Sequence, residues 1–395
     1  MRVLFLTHAF PRYAGDAAGS FLLRLAVALR PEGIDVHVIA PAAPGFPARD
    51  TIEGIPVHRF RYAPQRYQTL AYTGTMAEQV GASWSARFSL LGFLGAELRA
   101  AQRARRTLEP AVVHAHWWFP SGVVATWMRA LSPGVRMPMV TTLHGSDVRL
   151  GRRSALSRSR FRAVLERSAA VTTVSNWLAS GVTDVLPTAR PIVAPMPAAT
   201  DLFHPGSARS ADRLLFVGRA NEQKGLQVLI RALARTSAPL SLDVIGDGEG
   251  RAPLERLASE LGVAERVHWH GALPHTALAP YYRCAAALVV PSIDEGLGLV
   301  AVEGQLCGAP VIASNSGGLP DIVQDGRTGL LVPPGDPEAL ARTIDTLLAR
   351  PDRGAALGHA GRLHALDLFS PNAVARRYAE IYRSAIVGAG APSAT

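Results

Sequence analysis

Lysine is almost missing from this chain. Of its 41 basic residues 40 are arginine, and the single lysine stands at position 224. A solvated cation with no specific task could be arginine, as it is everywhere else, so Lys224 is marked for a particular role. Cysteine is scarce too: Cys284 and Cys307 cannot build a disulfide framework, and their spacing fits neither a thiolate zinc site nor a redox C-x-x-C. A reducing, cytoplasmic setting is expected. Long apolar runs are also lacking. The uncharged stretch 110–128 is interrupted by His114, His116, Pro120, Ser121 and Gly122, which argues against a membrane span. The opening MRVLFLTHAF has too short an apolar run and continues with Pro11, Arg12 and Asp16, which reads as a buried strand and not as a signal peptide.

What is present is apolar content of 48% over 395 residues, enough for two or three packed domains. The net charge of +10 is uneven: residues 1–200 hold 23 Arg against 11 Asp and Glu, while 201–395 hold 18 basic and 20 acidic residues. Each half opens on a β-rich apolar run and continues in alternating strand and helix patterns, the signature of parallel doubly wound sheets. Strands are expected at 2–7, 34–40, 111–114, 139–143 and 170–174, then at 213–217, 240–245, 266–270, 286–290, 310–313 and 329–332. They are short and continuously apolar, as strands covered on both faces should be. Five prolines between 187 and 205 suggest a stiff linker. The expected division is 1–204, 205–370 and a helical tail from 371, whose stripe of Ala373, Val374, Tyr378, Ile381 and Tyr382 has no further strand to precede and whose residues 388–395 read as a disordered end.

Two segments concentrate the chemistry. Residues 214–225, LLFVGRANEQKG, read as a strand, a turn carrying Arg219 and Lys224, and a helix opening at Gly225 and running to 236. Two cations beside a helix N-terminus suit a diphosphate, although a plain solvated turn has the same look. Residues 291–308, PSIDEGLGLVAVEGQLCG, follow a strand with Asp294 and Glu295, two glycines, and a helix from about Leu299. Such a loop lets backbone approach a ligand, and Glu303, eight residues after Glu295, can turn toward the same molecule; a helix-surface Glu303 and a capping Asp294 or Glu295 are the plainer alternative. His114 with His116, and His268 with His270, are spaced as on one strand face and favour polar strand-end positions over metal ligands.

The chain resembles the retaining GT-B glycosyltransferases of family four over nearly its whole length. The resemblance rests on E-x7-E at Glu295 and Glu303, the VGR…KG stretch with Arg219 and Lys224, GDGEG at 246–250, and SGGLPDIVQDGRTGLLVPPGD at 316–336. HAHWWFPSG at 114–122 and HGSD at 144–147 add to it. It implies an α/β fold of two Rossmann-like doubly wound domains facing across a cleft, with an N-terminal acceptor domain and a C-terminal nucleotide-sugar domain. It implies transfer of a sugar from a nucleotide diphosphate sugar, a co-substrate and not a resident cofactor, to an acceptor hydroxyl. Arg219 and Lys224 would then neutralise the diphosphate, Glu303 hold the ribose hydroxyls, and Glu295 the donor sugar. Gly296, Leu297, Gly298 and Leu299 would lie near sugar and phosphate, with Leu273 near the base and His144 against the donor sugar from the first domain. The loop at 11–20 would offer Gly15 and Asp16 to acceptor or phosphate, though it lacks the adjacent glycine pair common in the family. No D-x-D is present, so neither a metal-held diphosphate nor any other bound metal is expected.

Arginines at 149, 152, 153, 158, 160, 162 and 167, and the mixture of apolar residues and arginines at 84–106, suit an anionic membrane surface as well as they suit a solvated helix face. The acceptor could accordingly be a sugar, a small molecule, or a lipid-linked or phospholipid molecule at the inner leaflet. No recognition motif accompanies the arginines, so nucleic acid is not expected. Two rivals remain. A phosphorylase using pyridoxal phosphate would need a lysine late in the second domain, where none occurs; a catalytically silent membrane scaffold would not need the paired carboxylates.

Overall fold

A computed structural model describes residues 1–72, 76–206 and 209–390. The chain divides into two compact units: Met1–Pro197 together with the segment from Pro371 onward, and Ala198–Ser370. The division falls after Pro197, earlier than the expected boundary at 204. The reason lies in residues 198–203, where Ala198, Ala199 and Phe203 are buried and the Ala198 N–H donates to Phe369 O at 2.9 Å. Proline density alone could not show that burial.

The first unit is an eight-stranded sheet. Its strands are β1 (Arg2–Leu6), β2 (Asp35–Pro41), β3 (Arg49–Ile52), β4 (Ile55–Phe60), β5 (Val112–His116), β6 (Met139–Leu143), β7 (Ala170–Thr173) and β8 (Ile192–Val193). They lie in the order β3-β4-β2-β1-β5-β6-β7-β8, parallel throughout except for the β3–β4 pair. Val3, Leu4, Phe5 and Leu6 of β1 are fully buried, as continuous apolar composition demands of a central parallel strand. Three of these strands depart from expectation. The β3–β4 hairpin escapes an apolar-run reading because an edge strand such as β3 carries Arg49, Asp50 and Thr51. Two-residue β8 sits inside the supposed linker, where an edge position tolerates flanking prolines.

The second unit has six parallel strands: β9 (Arg213–Val217), β10 (Ser241–Ile245), β11 (Val267–Gly271), β12 (Ala287–Val290), β13 (Val311–Ser314) and β14 (Leu330–Val332). Their order is β11-β10-β9-β12-β13-β14. The helix after β9 spans Leu226–Leu233 and ends three residues before the expected 236, where the Arg235 N–H donates to Ala232 O at 2.8 Å in a closing turn; residues 222–224 form a separate 3-10 turn before it. Leu226, Leu229, Ile230 and Leu233 bury one side of that helix against the sheet.

In each sheet the chain order reverses once. Strand β9 has β10 on one side and β12 on the other; β1 has β2 and β5. Loops leaving two such neighbouring strands diverge to opposite faces and open a crevice at the carboxyl edge, the usual ligand position in doubly wound sheets. Both segments that concentrate the chemistry, 218–225 and 291–298, leave from β9 and β12.

The last helix, Pro371–Gly390, packs on the first sheet, with Val374, Tyr378, Ile381 and Tyr382 buried. It continues through 388–390, where a disordered end was expected; residues 391–395 lie outside the described residues. Its anchor is polar. Tyr382 Oη lies 2.8 Å from His114 Nδ1, His114 Nε2 lies 2.6 Å from Thr142 Oγ1, and Tyr378 Oη donates to Ala194 O at 3.1 Å. Removing the Tyr382 hydroxyl leaves His114 Nδ1 buried without a partner. Tyr382→Phe is expected to destabilise the protein by about 1–2 kcal/mol, read as a lower denaturation midpoint with an unchanged denaturant slope.

Candidate active site

Lys224 and Glu295 meet. Lys224 Nζ lies 2.5 Å from Glu295 Oε2, with the two side chains 21% and 17% exposed. The contact follows from local structure. Asn221 accepts from the Lys224 N–H at 3.1 Å and so closes the 3-10 turn that ends on Lys224. The Ile293 N–H donates to Gln223 O at 2.8 Å, and Gln223 Nε2 donates to Asp294 O at 3.1 Å, which pins the loop after β12 onto the loop after β9. The GDGEG segment supports the same turn from the other side: the Ala220 N–H donates to Asp247 O, and the Gly250 N–H to Ala220 O.

Two glycines make this approach feasible. A Cβ at Gly225 would lie 2.0 Å from Pro291 O, and one at Gly317 would lie 2.3 and 2.5 Å from Glu295 O and N. Both positions also have left-handed φ, +69° and +62°. The Gly318 N–H donates to Glu295 O at 2.8 Å, so the SGG segment is what the Glu295 backbone rests on.

The other expected donor residues belong to the same unit. Arg219 is exposed, two residues beyond β9, and makes no ion pair among the described residues. Gly296, Leu297 and Gly298 lead into the helix Leu299–Leu306; Leu297 is buried and Gly298, at φ +96°, precedes the helix without a side-chain cap. The first N–H groups of that helix therefore have no side-chain acceptor at the cap position. Glu303 sits on it, buried, and is engaged differently from Glu295. Its Oε1 lies 2.7 Å from His275 Nε2, and its Oε2 accepts from Tyr282 Oη at 2.8 Å. Burial, together with this carboxylate, raises the Tyr282 hydroxyl well above its ordinary value, so it remains a donor. Each Glu303 oxygen keeps further acceptor capacity beyond these bonds. Leu273 lies in the loop between β11 and the turn His275–Ala277, and His275 ties that loop to Glu303. Neither His275 nor Tyr282 was legible as a site residue, since nothing local distinguishes them from an ordinary loop histidine and a core tyrosine.

In the first unit His144 follows β6. Its ring is packed against Trp117 at 4.3 Å and Phe21 at 5.3 Å between centroids, and its Nε2 lies 3.3 Å from His116 Nδ1. Burial pushes His144 down to about 3 and His8 to about 4, so both are neutral at neutral pH. The HGSD segment builds a carboxylate cradle: Asp147 Oδ1 accepts from the N–H groups of His144, Gly145 and Val148 at 3.1, 2.9 and 3.0 Å. Burial nevertheless raises the Asp147 carboxyl to about 6.

The first loop turns inward. Asp16 is buried and accepts from the Arg12 backbone N–H, Arg12 Nε, Arg12 Nη2 and the Ala18 N–H, so its carboxylate closes the loop itself. Gly15 is exposed at φ +89°. His114 and His116 are buried at the end of β5, while His270 lies 2.7 Å from Asp243 Oδ1. Among the described residues no group of three His, Cys, Asp or Glu is placed to hold a metal ion.

Residues 18–200 match the family model Glycosyltransferase Family 4, and residues 201–364 match Glycosyl transferases group 1. The D-inositol 3-phosphate glycosyltransferase of Segniliparus rotundus is 30% identical over 95% of this chain and 86% of its own length. That of Thermobispora bispora is 34% identical over 76% and 77%. Among solved structures, sucrose-phosphate synthase from Thermosynechococcus elongatus matches with a TM-score of 0.80 at 25% identity, covering 98% of this chain and 99% of that one. Anabaena HepE in complex with UDP-glucose matches with a TM-score of 0.72 at 20% identity, covering 97% and 100%, a likeness of fold. Two doubly wound units of this kind define the GT-B class of α/β proteins. The chain belongs to the family-four glycosyltransferases.

Because the Glu295 backbone rests on Gly317, any side chain there must displace it. Gly317→Ala is expected to cost about 2 kcal/mol or more through the clash and the left-handed φ. It should also abolish glycosyl transfer in protein that remains folded by circular dichroism.

Proposed function

We propose that this glycosyltransferase takes its sugar from a nucleotide diphosphate sugar and passes it to an acceptor hydroxyl with retention of anomeric configuration and without a metal. The observation that carries the reading is the meeting of Lys224 and Glu295 beside the uncapped helix at Leu299. Cleavage of the bond between anomeric carbon and phosphate oxygen builds negative charge on the departing diphosphate. Lys224, Arg219 and the N–H groups from Gly298 onward supply positive potential to that charge. Glu295, within reach of Lys224, is assigned to the sugar hydroxyls, and Glu303, held by His275 and Tyr282, to the ribose diol. Leu273 is assigned to the base, His144 to the donor sugar, and Gly15 with Asp16 to the acceptor loop. The acceptor oxygen bonds to the anomeric carbon on the face the phosphate leaves, and its proton passes to the departing phosphate oxygen, so no dedicated protein base is needed. The UDP-glucose complex of HepE, a protein of the same fold, supports a donor of this chemical class.

The acceptor is open among a sugar, a small molecule such as the inositol 3-phosphate in the relatives' names, and a lipid-borne hydroxyl. One observation favours the last. On the helix Trp84–Leu108 the outward positions Trp84, Phe88 and Leu91 are 72%, 69% and 66% exposed, and Arg99, Arg103 and Arg106 are exposed farther along. The guanidinium of Arg87 lies 4.5 Å over the Trp84 ring. This helix packs on β1, β2 and β4 and on Val123–Ala130, which in turn packs on Ala155–Arg167. Of the seven arginines at 149–167, only Arg152 and Arg162 pair with a carboxylate among the described residues. Apolar rings beside unpaired cations suit an anionic bilayer surface. No helix among the described residues is long and apolar enough to cross a membrane.

Activity, binding and flotation measurements test these readings. With a panel of nucleotide diphosphate sugars, the product is expected to keep the donor's anomeric configuration by NMR. Lys224→Ala should lower turnover by about a hundredfold or more, whereas Glu295→Ala should reduce transfer more than it weakens binding of the free nucleotide diphosphate; the reverse pattern would move Glu295 to nucleotide binding. In flotation at low salt, recovery is expected with phosphatidylglycerol-containing vesicles and not with phosphatidylcholine alone, and to fall when Trp84 and Phe88 are replaced by Ala. Equal recovery on both vesicles removes the membrane reading.

A further inference from the structure

We infer that His116 decides which ring nitrogen of His144 carries the proton, leaving His144 Nδ1–H as the group offered to a ligand. The catalytic consequence rests on the proposal that His144 serves the donor sugar; the protonation assignment does not.

His116 ends β5 and His144 follows β6, and the two strands are neighbours with His116 opposite Thr142. One contact joins the rings, His116 Nδ1 to His144 Nε2 at 3.3 Å. Burial holds both imidazoles neutral, so each carries a single N–H and the contact can be made in two ways. If His144 Nε2–H donates, the proton of His116 must sit on Nε2. That atom is buried and has no hydrogen-bond partner among the described residues, so a buried N–H would be orphaned. If His116 Nδ1–H donates, only a lone pair remains unpaired at His116 Nε2. Orphaned buried donors are rarer than under-used acceptors, so the second arrangement is favoured.

The neighbouring histidine cannot relax this choice. His114 Nδ1 and Nε2 are occupied by Tyr382 Oη and Thr142 Oγ1. His144 in turn cannot readily rotate away, because Trp117 and Phe21 pack against its ring and Asp147 Oδ1 holds its backbone N–H. With Nε2 accepting from His116, its proton resides on Nδ1, which makes no hydrogen bond to the described residues and is not among the buried atoms without a partner. His116 is thus a positioning residue, acting on a ligand only through His144.

The test is long-range proton–nitrogen NMR of the full chain with nitrogen-15 histidine, the His144 signals being assigned by their loss in His144→Gln. The expected result is the Nδ1–H form of His144 in the wild type. His116→Asn, whose amide can donate from the same place, should keep it, and His116→Leu should shift His144 toward the Nε2–H form. An Nε2–H signal in the wild type, or an unchanged form in His116→Leu, overturns the assignment; if the leucine variant does not fold, the wild-type spectrum still decides. Turnover in His116→Leu should fall about ten- to a hundredfold, the usual range for a partner that orients a working histidine. Nucleotide diphosphate binding should be unchanged, and His116→Asn should retain most of the activity. Should the assignment hold while His144→Gln transfers sugar normally, the role of His144 fails and the protonation assignment stands.

Discussion

The second unit depends on the closeness of two loops that leave neighbouring strands. β9 and β12 are adjacent, and the chain turns at Gly225 and Gly317 approach Pro291 and Glu295 more closely than any side chain would allow. That closeness brings the single lysine against Glu295. A partly buried ion pair of this kind costs desolvation on both sides, and it needs good geometry to be maintained. Here backbone hydrogen bonds between the loops supply the geometry, and the pair inherits it. Under the proposed function the same closeness places phosphate-binding and sugar-binding groups within one small volume.

Lysine's solitude acquires a physical reading in this setting. An arginine fork is preorganised for bidentate partners, whereas an ammonium on a flexible stem can rotate among acceptors. Under the proposed function Lys224 serves a diphosphate as well as Glu295, and a compact ammonium exchanges such partners with little rearrangement. Arg219, exposed and without an ion pair among the described residues, has no such exchange to make. Composition singled out residue 224, and the structure pairs it with Glu295.

How far the sequence discloses the fold depends on whether a feature is carried by consecutive residues. Buried parallel strands are continuous apolar runs, so Arg213–Val217 and Met139–Leu143 were legible to the residue. Turn glycines and the charged residues between strand and helix were legible for the same reason. Features made by distant pairing were not. The Arg49–Ile52 strand is polar because it lies at an edge, the Ile192–Val193 strand is too short to carry a period, and the division after Pro197 reflects burial of Ala198 and Phe203 by residues far along the chain. Glu303 was a candidate through its spacing from Glu295, and it is buried on the helix where that spacing put it. His275 and Tyr282, which hold its carboxylate, were not, because they come from a loop and a helix whose relation to it is set only by the sheet.

The two units handle polar groups by opposite means. In the second, polar groups are paired, Lys224 with Glu295 as ions and His275 with Glu303 through a hydrogen bond, which under the proposed function suits a multiply charged ligand. In the first, desolvation strips the imidazoles of His114, His116 and His144 of charge; His116 meets His144, while His114 is held separately by Thr142 and by Tyr382 of the tail helix. A neutral imidazole is a single-proton device: its usefulness lies in which nitrogen holds the proton, and only its surroundings can fix that. Burial therefore does two things at once here. It leaves each ring with a single N–H, and it makes the bond between His116 and His144 a constraint on both rings. With His116 Nε2 buried and without a partner, the single bond between His116 and His144 has, on this reasoning, one direction in which its proton can point.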